Sequence, residues 1–172
     1  MFEAADNHSV QWRFERGDLD AAAVYEHFCR ATGTRPDAAA LWTAGADMFD
    51  EIPETVALVR RLSAAGHRLG ILSNTNSADW DFFGRGRFPV IVEAFEHAVL
   101  SFEARAMKPE AAIFTLAVER AGVPAREVFF VDDVPENVAG ACAAGLDAVL
   151  FTTPAELKAA LQHRGVAGLE NA

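Results

Sequence analysis

The chain has 172 residues, 51% of them apolar, and a formal net charge of −10. That length suits one domain with at most a small subdomain, and the apolar fraction supports a sizeable core. The acidic balance argues against a nucleic-acid backbone as a partner. No run of about 18 apolar residues and no charged-then-apolar leader is present, so no membrane partner is expected.

The first dozen residues are weakly patterned, and Asp6-Asn7-His8-Ser9 reads as a turn. Asp18 then stands as an N-cap for a helix from Leu19 to Thr32, closed by Gly33. In this reading Asp18 caps that helix and Asp20 favours its positive end. Pro36 opens a second helix running to about Phe49. From Pro53 the texture changes. Pro53-Glu54-Thr55 starts a helix with Val56, Val59 and Leu62 on one face, ending at Gly66. His67 to Ser73 reads as a strand, Ser77 to about Phe83 as a helix, and Gly84-Arg85-Gly86-Arg87 as a loop of solvated charges. A short helix spans Phe88 to Phe95, and His97 to Ser101 forms a strand. Pro109 opens an amphipathic helix closed by Gly122. Glu127 to Asp132 is a strand, Asn137 to Ala144 a small-residue helix, Ala148 to Phe151 a last strand, and Pro154 to about His163 a final helix.

Near-continuous apolar strands alternating with helices indicate a parallel sheet covered on both faces. The expected architecture is α/β: a Rossmann-like core over 51–172 and a small helical subdomain over 1–50. Cys29 and Cys142 are lone cysteines in predicted helices. They point to a reducing compartment and, with the absence of an apolar span, to a cytoplasmic protein. The five histidines are scattered, and no His or Cys pair has zinc-ligand spacing. Trp12, Trp42 and Trp80 read as packing residues, with Trp80 close enough to Ser73 to line a pocket.

Chemistry-bearing residues gather where the apolar runs end. Leu69-Gly70-Ile71-Leu72 runs into Ser73-Asn74, and Val128-Phe129-Phe130-Val131 runs into Asp132-Asp133. Between them stands Lys108, one of only two lysines, followed by Pro109. A hydroxyl and an amide, then an ammonium, then paired carboxylates can hold a phosphoryl group beside a divalent cation. A receiver domain carries its acids before its lysine, the reverse of this order. A dinucleotide-binding turn needs Gly-x-Gly-x-x-Gly after its first strand, and Gly84-Arg85-Gly86 lacks the third glycine and follows a helix.

The ordered set Ser73-Asn74, Lys108-Pro109 and Asp132-Asp133 resembles the haloacid-dehalogenase superfamily. More narrowly, "ILSNTN", "ARAMKPEAAIF", "FFVDDVPENVAGACAAG" and "FERGDLDAAAVYEHF" are similar to its sugar-phosphate phosphatase branch with a small helical cap. The likeness covers roughly residues 12–163. It implies that Ser73, helped by the backbone near Asn74, hydrogen-bonds the transferring phosphoryl group. It implies that Lys108 neutralises charge there, that Asp132 binds Mg²⁺, and that Asp133 orients the metal shell. The substrate would be a small phosphorylated metabolite. Such a site works by positioning and charge stabilisation.

In that family an apolar strand ending in Asp-x-Asp precedes these motifs, carries the attacking aspartate and occupies the sheet centre. The only Asp-x-Asp here is Asp18-Leu19-Asp20, which follows Phe14-Glu15-Arg16-Gly17 and not a buried strand. A central strand contributes roughly ten backbone hydrogen bonds at about 1 kcal/mol each, comparable with a domain's stability of about 5–15 kcal/mol. Three outcomes are then open. The flanking strands close on each other, a partner supplies a strand, or the sequence is part of a longer chain. The expectation is the last, a truncated and inactive phosphatase. The alternatives are a non-catalytic phosphate- and Mg²⁺-binding protein and a dehalogenase-type hydrolase. Oligomeric state is left open.

Overall fold

Residues 9–169 are described by the computed structural model of the chain. The turn read at Asp6-Asn7-His8-Ser9 lies outside them except for Ser9. That serine caps a helix the sequence reading did not foresee, α1 (Val10–Glu15), its Oγ accepting from the Trp12 N–H at 3.1 Å. Six residues are too few to display a helical period.

Asp20, not Asp18, caps α2 (Ala21–Thr32), its Oδ1 accepting from the Ala23 N–H at 2.8 Å. The helix starts later than expected because the chain first turns tightly after α1. There the Asp18 and Leu19 N–H groups both donate to the Arg13 carbonyl, at 2.8 and 3.2 Å. Gly17 takes φ 82° at this turn. A Cβ there would lie 2.1 Å from the Phe102 carbonyl oxygen, so the backbone approach itself requires glycine. Gly33 ends α2 in the left-handed conformation, as read. Helix α3 (Ala38–Ala46) is capped by Asp37 and stops short of Phe49.

The rest follows the expected order, with one helix that the reading lacked, over Ser101–Ala104, beginning at the serine read as the end of a strand. It comprises α4 (Pro53–Ala64), β1 (Gly70–Ser73), α5 (Ser77–Phe82), α6 (Pro89–Ala94), β2 (His97–Leu100), α7 (Ser101–Ala104), α8 (Ala111–Ala121), β3 (Phe129–Asp132), α9 (Pro135–Ala143), β4 (Asp147–Leu150) and α10 (Pro154–His163). The segment read as a loop of solvated arginines is a wide helical turn over 83–87 that kinks at Arg85 and Gly86. Arg87 is not merely solvated, since its Nη2 lies 3.2 Å from Asp47.

Strands β1 and β2 pair in parallel, with Gly70 opposite His97 and Ser73 opposite Leu100. Strands β3 and β4 pair in parallel, with Phe129 opposite Asp147 and Asp132 opposite Leu150. Helices cover both faces. On one face Phe114 and Ile113 of α8 are fully buried with Val99, Phe130, Ala141 and Leu146. Phe114 meets Phe130 edge-on with ring centres 5.7 Å apart. On the other, Leu58 and Leu62 of α4 pack with Leu157 and Leu161 of α10 and with Leu169. This is the α/β, Rossmann-like arrangement expected from the sequence. Among the described residues the pairs form two separate two-stranded sheets, and β1 is not hydrogen-bonded to β3. The flanking strands therefore do not close on each other.

Candidate active site

Parallel strands end together, so the carboxyl ends of β1 and β3 put Ser73-Asn74 and Asp132-Asp133 along one rim. Lys108 spans it. Its Nζ donates to the Leu72 carbonyl at 3.0 Å and to Asp132 Oδ2 at 2.5 Å. The two charged side chains are only 10% and 6% exposed, which makes this a buried ion pair. The ammonium also lies 5.6 Å from the centre of the Phe130 ring.

Asn74 fixes the backbone from which that ammonium projects. Its Nδ2 donates to the Lys108 carbonyl at 3.0 Å, and its Oδ1 accepts from the Lys108 N–H at 2.8 Å. The amide thus acts as a two-point clamp between the β1 loop and the segment entering α8. Gly140 on α9 lets that segment close. A Cβ there would fall 2.8 Å from the Pro109 carbonyl oxygen and 2.9 Å from Phe114 Cε2.

Asp132 is held on its other oxygen as well. Oδ1 accepts from the Val134 N–H at 2.9 Å and from Asn137 Nδ2 at 3.0 Å. Burial presses against its charge. The Lys108 and Asn137 hydrogen bonds, the Val134 N–H and the ammonium's charge outweigh that pressure and hold the carboxyl below the usual carboxylate range. Asp133 is exposed. Ser73 is half-buried, and its Oγ makes only a 3.5 Å approach to the Asn74 carbonyl, too long to occupy the hydroxyl fully.

The structure thus joins Asn74, Lys108 and Asp132 by direct hydrogen bonds, with Ser73 and Asp133 adjacent to them in the chain. Among the described residues no group of three His, Cys, Asp or Glu side chains is arranged to hold a metal. Mg²⁺, however, keeps several waters and takes one or two protein carboxylates. The hard oxygens of Asp132 and Asp133 fit that demand, on condition that Lys108 yields Oδ2.

Three supporting residues stand beside these that the sequence reading did not count in the site. Asn137, named there only as the start of a small-residue helix, is buried against Asp132. The signal was available, because it is a lone amide on the inner face of a small-residue helix. Asn76 is 3% exposed and caps α5 through the Ala78 and Asp79 N–H groups, both at 3.0 Å. Ser101 is fully buried. Its Oγ accepts from the Thr75 N–H at 2.9 Å and lies within bonding distance of the Thr75 and Glu15 carbonyls, at 2.9 and 2.6 Å. One hydroxyl therefore ties the loop after Ser73 to α1, and nothing in the sequence marks it. Ser101→Ala is expected to cost about 1–3 kcal/mol by stranding these groups, measurable by urea unfolding. Of the tryptophans, Trp42 packs on Phe14 at 5.9 Å between ring centres, and Arg16 lies 5.0 Å over the Trp12 ring.

A family model for haloacid dehalogenase-like hydrolases matches residues 13–145. Among solved structures, a wild-type HAD family enzyme from Bacteroides thetaiotaomicron, in complex with magnesium and inorganic phosphate, is 26% identical. That match covers 86% of this chain and 76% of that one, with a TM-score of 0.77. A predicted HAD-like family hydrolase from Porphyromonas gingivalis is 25% identical over 84% of this chain and 73% of that one, TM-score 0.71. L-2-haloacid dehalogenase from Xanthobacter autotrophicus, with chloropropionic acid covalently bound, is 20% identical over 93% and 69%, TM-score 0.61. At that identity the last likeness speaks for the fold alone.

Proposed function

This chain belongs to the haloacid dehalogenase-like hydrolase family, and from that premise we propose that its rim binds the phosphoryl group of a small phosphorylated metabolite beside Mg²⁺. The observation that carries this reading is Lys108, a buried ammonium held between the end of β1 and Asp132 at the end of β3. Ser73 offers a hydroxyl whose nearest partner among the described residues is the Asn74 carbonyl at 3.5 Å, and Asn74 fixes the lysine's backbone. Asp132 and Asp133 supply hard oxygens for the metal, which when bound offsets phosphate charge on a chain that is acidic overall. The B. thetaiotaomicron enzyme, solved with magnesium and inorganic phosphate, favours this phosphate reading. The helices up to Ala46 are assigned in this proposal to the cap over that rim.

For catalysis the described residues offer less. Asp20 of the Asp18-Leu19-Asp20 motif spends a carboxylate oxygen on the α2 cap. Asp132 is tied by three donors, and the exposed Asp133 is assigned to the metal. We therefore expect this 172-residue chain to bind phosphate but to hydrolyse p-nitrophenyl phosphate at no more than background. Calorimetry with inorganic phosphate and MgCl₂ tests the binding. Lys108→Met should abolish the phosphate heat, and Asp132→Asn its Mg²⁺ dependence. Lys158→Ala serves as the distant control, and an equal loss in it would remove Lys108 from the site. Robust Mg²⁺-dependent turnover that disappears in Asp132→Asn would overturn the expectation of background hydrolysis.

A further inference from the structure

A cavity of about 650 Å³ opens between α3 and the stretch formed by α5 and the wide turn over 83–87. Small residues leave it empty, since Ala21, Ala39 and Ala78 line it and none reaches past a methyl group. Trp42 on α3 and Phe82 on α5 supply flat apolar walls. Each wall is backed by another ring. Phe14, which is buried, packs on Trp42 at 5.9 Å between ring centres. Phe83 packs on Phe82 at 6.3 Å and is itself braced by Phe49 and Phe88, at 5.3 and 5.4 Å. Among the described residues no ring contact joins Trp42 to Phe82, so the walls do not close on each other. A volume of this size between fixed aromatic walls has the dimensions of a small-molecule site.

Three charged side chains line the same cavity, Asp81, Arg85 and Arg87. Arg87 is engaged. Its Nη2 lies 3.2 Å from Asp47 and 3.8 Å from Asp50, and its guanidinium rests 5.5 Å from the centre of the Phe88 ring. Asp81 and Arg85 are exposed, and among the described residues neither side chain makes a hydrogen bond or an ion pair. Four residues apart, with the acid first, they have the spacing at which a helix pairs its charges. The chain, however, leaves helical conformation at Arg85 itself, with φ −80° and ψ 17°, and Gly86 follows at φ 91°. The second charge of the pair thus stands on the kink and not on the helix.

A ligand of one sign cannot use both charges. An anion that gains Arg85 is set against Asp81, and a cation that gains Asp81 is set against Arg85. An uncharged apolar molecule covers the rings and gains from neither. A zwitterion satisfies the two together, and the aromatic walls suit a flat apolar body on the same molecule. We propose that the cavity between α3 and α5 is a binding site for a free aromatic α-amino acid. Its carboxylate pairs with Arg85, its ammonium pairs with Asp81, and its ring lies between Trp42 and Phe82. A peptide end carries only one of the two charges and is the poorer fit. The site uses none of Ser73, Asn74, Lys108, Asp132 or Asp133, so it goes beyond the phosphate reading and does not rest on it.

The probe is L-phenylalanine, titrated by calorimetry into the 172-residue chain. Beside it run 3-phenylpropionate, which lacks the ammonium, and phenethylamine, which lacks the carboxylate. The expected result is saturable binding of L-phenylalanine, with each fragment at least about tenfold weaker, as the loss of one charge-assisted hydrogen bond implies. Arg85→Gln should bind L-phenylalanine about as weakly as the native chain binds phenethylamine. Asp81→Asn should bind it about as weakly as the native chain binds 3-phenylpropionate. Trp42→Leu should weaken all three, and Arg126→Gln, which does not line the cavity, should change none. The fragment comparison uses the native chain alone and decides the matter should a variant fail to fold. Absence of saturable L-phenylalanine binding overturns the proposal. So does either fragment binding more tightly than the tenfold margin allows, or a folded charge variant that keeps the native preference. Calorimetry with inorganic phosphate tests the rim separately, and a failure there leaves this site standing.

Discussion

Lys108→Met is expected to lower the unfolding free energy by about 3–5 kcal/mol at neutral pH. Both partners of the pair are nearly excluded from water. Taking the ammonium away leaves the Asp132 carboxylate buried with only the Val134 N–H and Asn137 Nδ2 as donors. The pH dependence carries a definite sign. In the native chain the Asp132 carboxyl lies below its ordinary value. Its contribution is then fully present above the ordinary carboxylate range and is lost as pH falls through the lowered value. Without Lys108 burial dominates and pushes the carboxyl upward, so the variant binds a proton that the native chain refuses. The stability gap between them should be widest at neutral pH, shrink as pH falls through the variant's raised value, and level off below the native chain's lowered one. Urea unfolding in metal-free buffer across that range measures it. The double variant Lys108→Met with Asp132→Asn should recover much of the loss, because no buried charge then lacks a partner. A gap under about 1 kcal/mol at neutral pH would mean that the pair behaves as an exposed one.

The acidic groups of α1 and α5 move the other way. Burial raises the Glu15 carboxyl, with the Gln11 hydrogen bond opposing it and the Asp79 charge adding to it; burial also raises Asp79, against its Asn76 hydrogen bond. These two favour the folded state at low pH, and that contribution is lost as pH rises through their raised values. The acid profile of the chain is therefore a contest between Asp132 at the rim and the carboxyls of Glu15 and Asp79. Glu15 also gives its carbonyl to Ser101.

What the sequence disclosed follows from where the physics is local. Gly33 and Gly122 close helices because left-handed residues favour glycine, and Pro53 and Pro154 open them because a first-turn N–H is dispensable. These signals are read within a few residues. The ends of β1 and β3 were equally visible, as apolar runs stopping at Ser73 and at Asp132. The Lys108–Asp132 bond was foreseeable only as company at one rim, because it joins residues 24 positions apart. Ser101, Gly17 and Gly140 were illegible for a different reason. Each matters through a backbone atom of a distant segment, and peptide groups leave no trace in composition or periodicity. Asp18 misled because two aspartates compete for one cap, and the turn that decides between them is made by the Arg13 carbonyl.

Gly17→Ala is expected to be the most damaging single-methyl addition in the chain. Two costs coincide there. An L residue at φ 82° costs about 1–2 kcal/mol. The added Cβ would sit 2.1 Å from the Phe102 carbonyl oxygen, 2.9 Å from its carbon and 3.1 Å from its Cα. All three are backbone atoms of α7, so no side-chain rotation relieves the overlap, and overpacking of this kind costs typically about 1–3 kcal/mol more. At about 2–4 °C per kcal/mol for a domain of this size, melting should fall by roughly 4–20 °C. The alternative to global unfolding is local parting of α1 and α2 from α7, which would break the Ser101–Glu15 hydrogen bond as well. The two are separable. Global loss lowers the melting temperature with one cooperative transition, whereas local parting speeds amide exchange in 10–32 ahead of the β1 and β3 amides. Gly33→Ala is the control, since φ 70° carries the same conformational cost but a Cβ there meets nothing within 4 Å. If the two alanine variants melt together, the approach of Gly17 to Phe102 does not hold α1 and α2 in place, and these helices are fastened elsewhere.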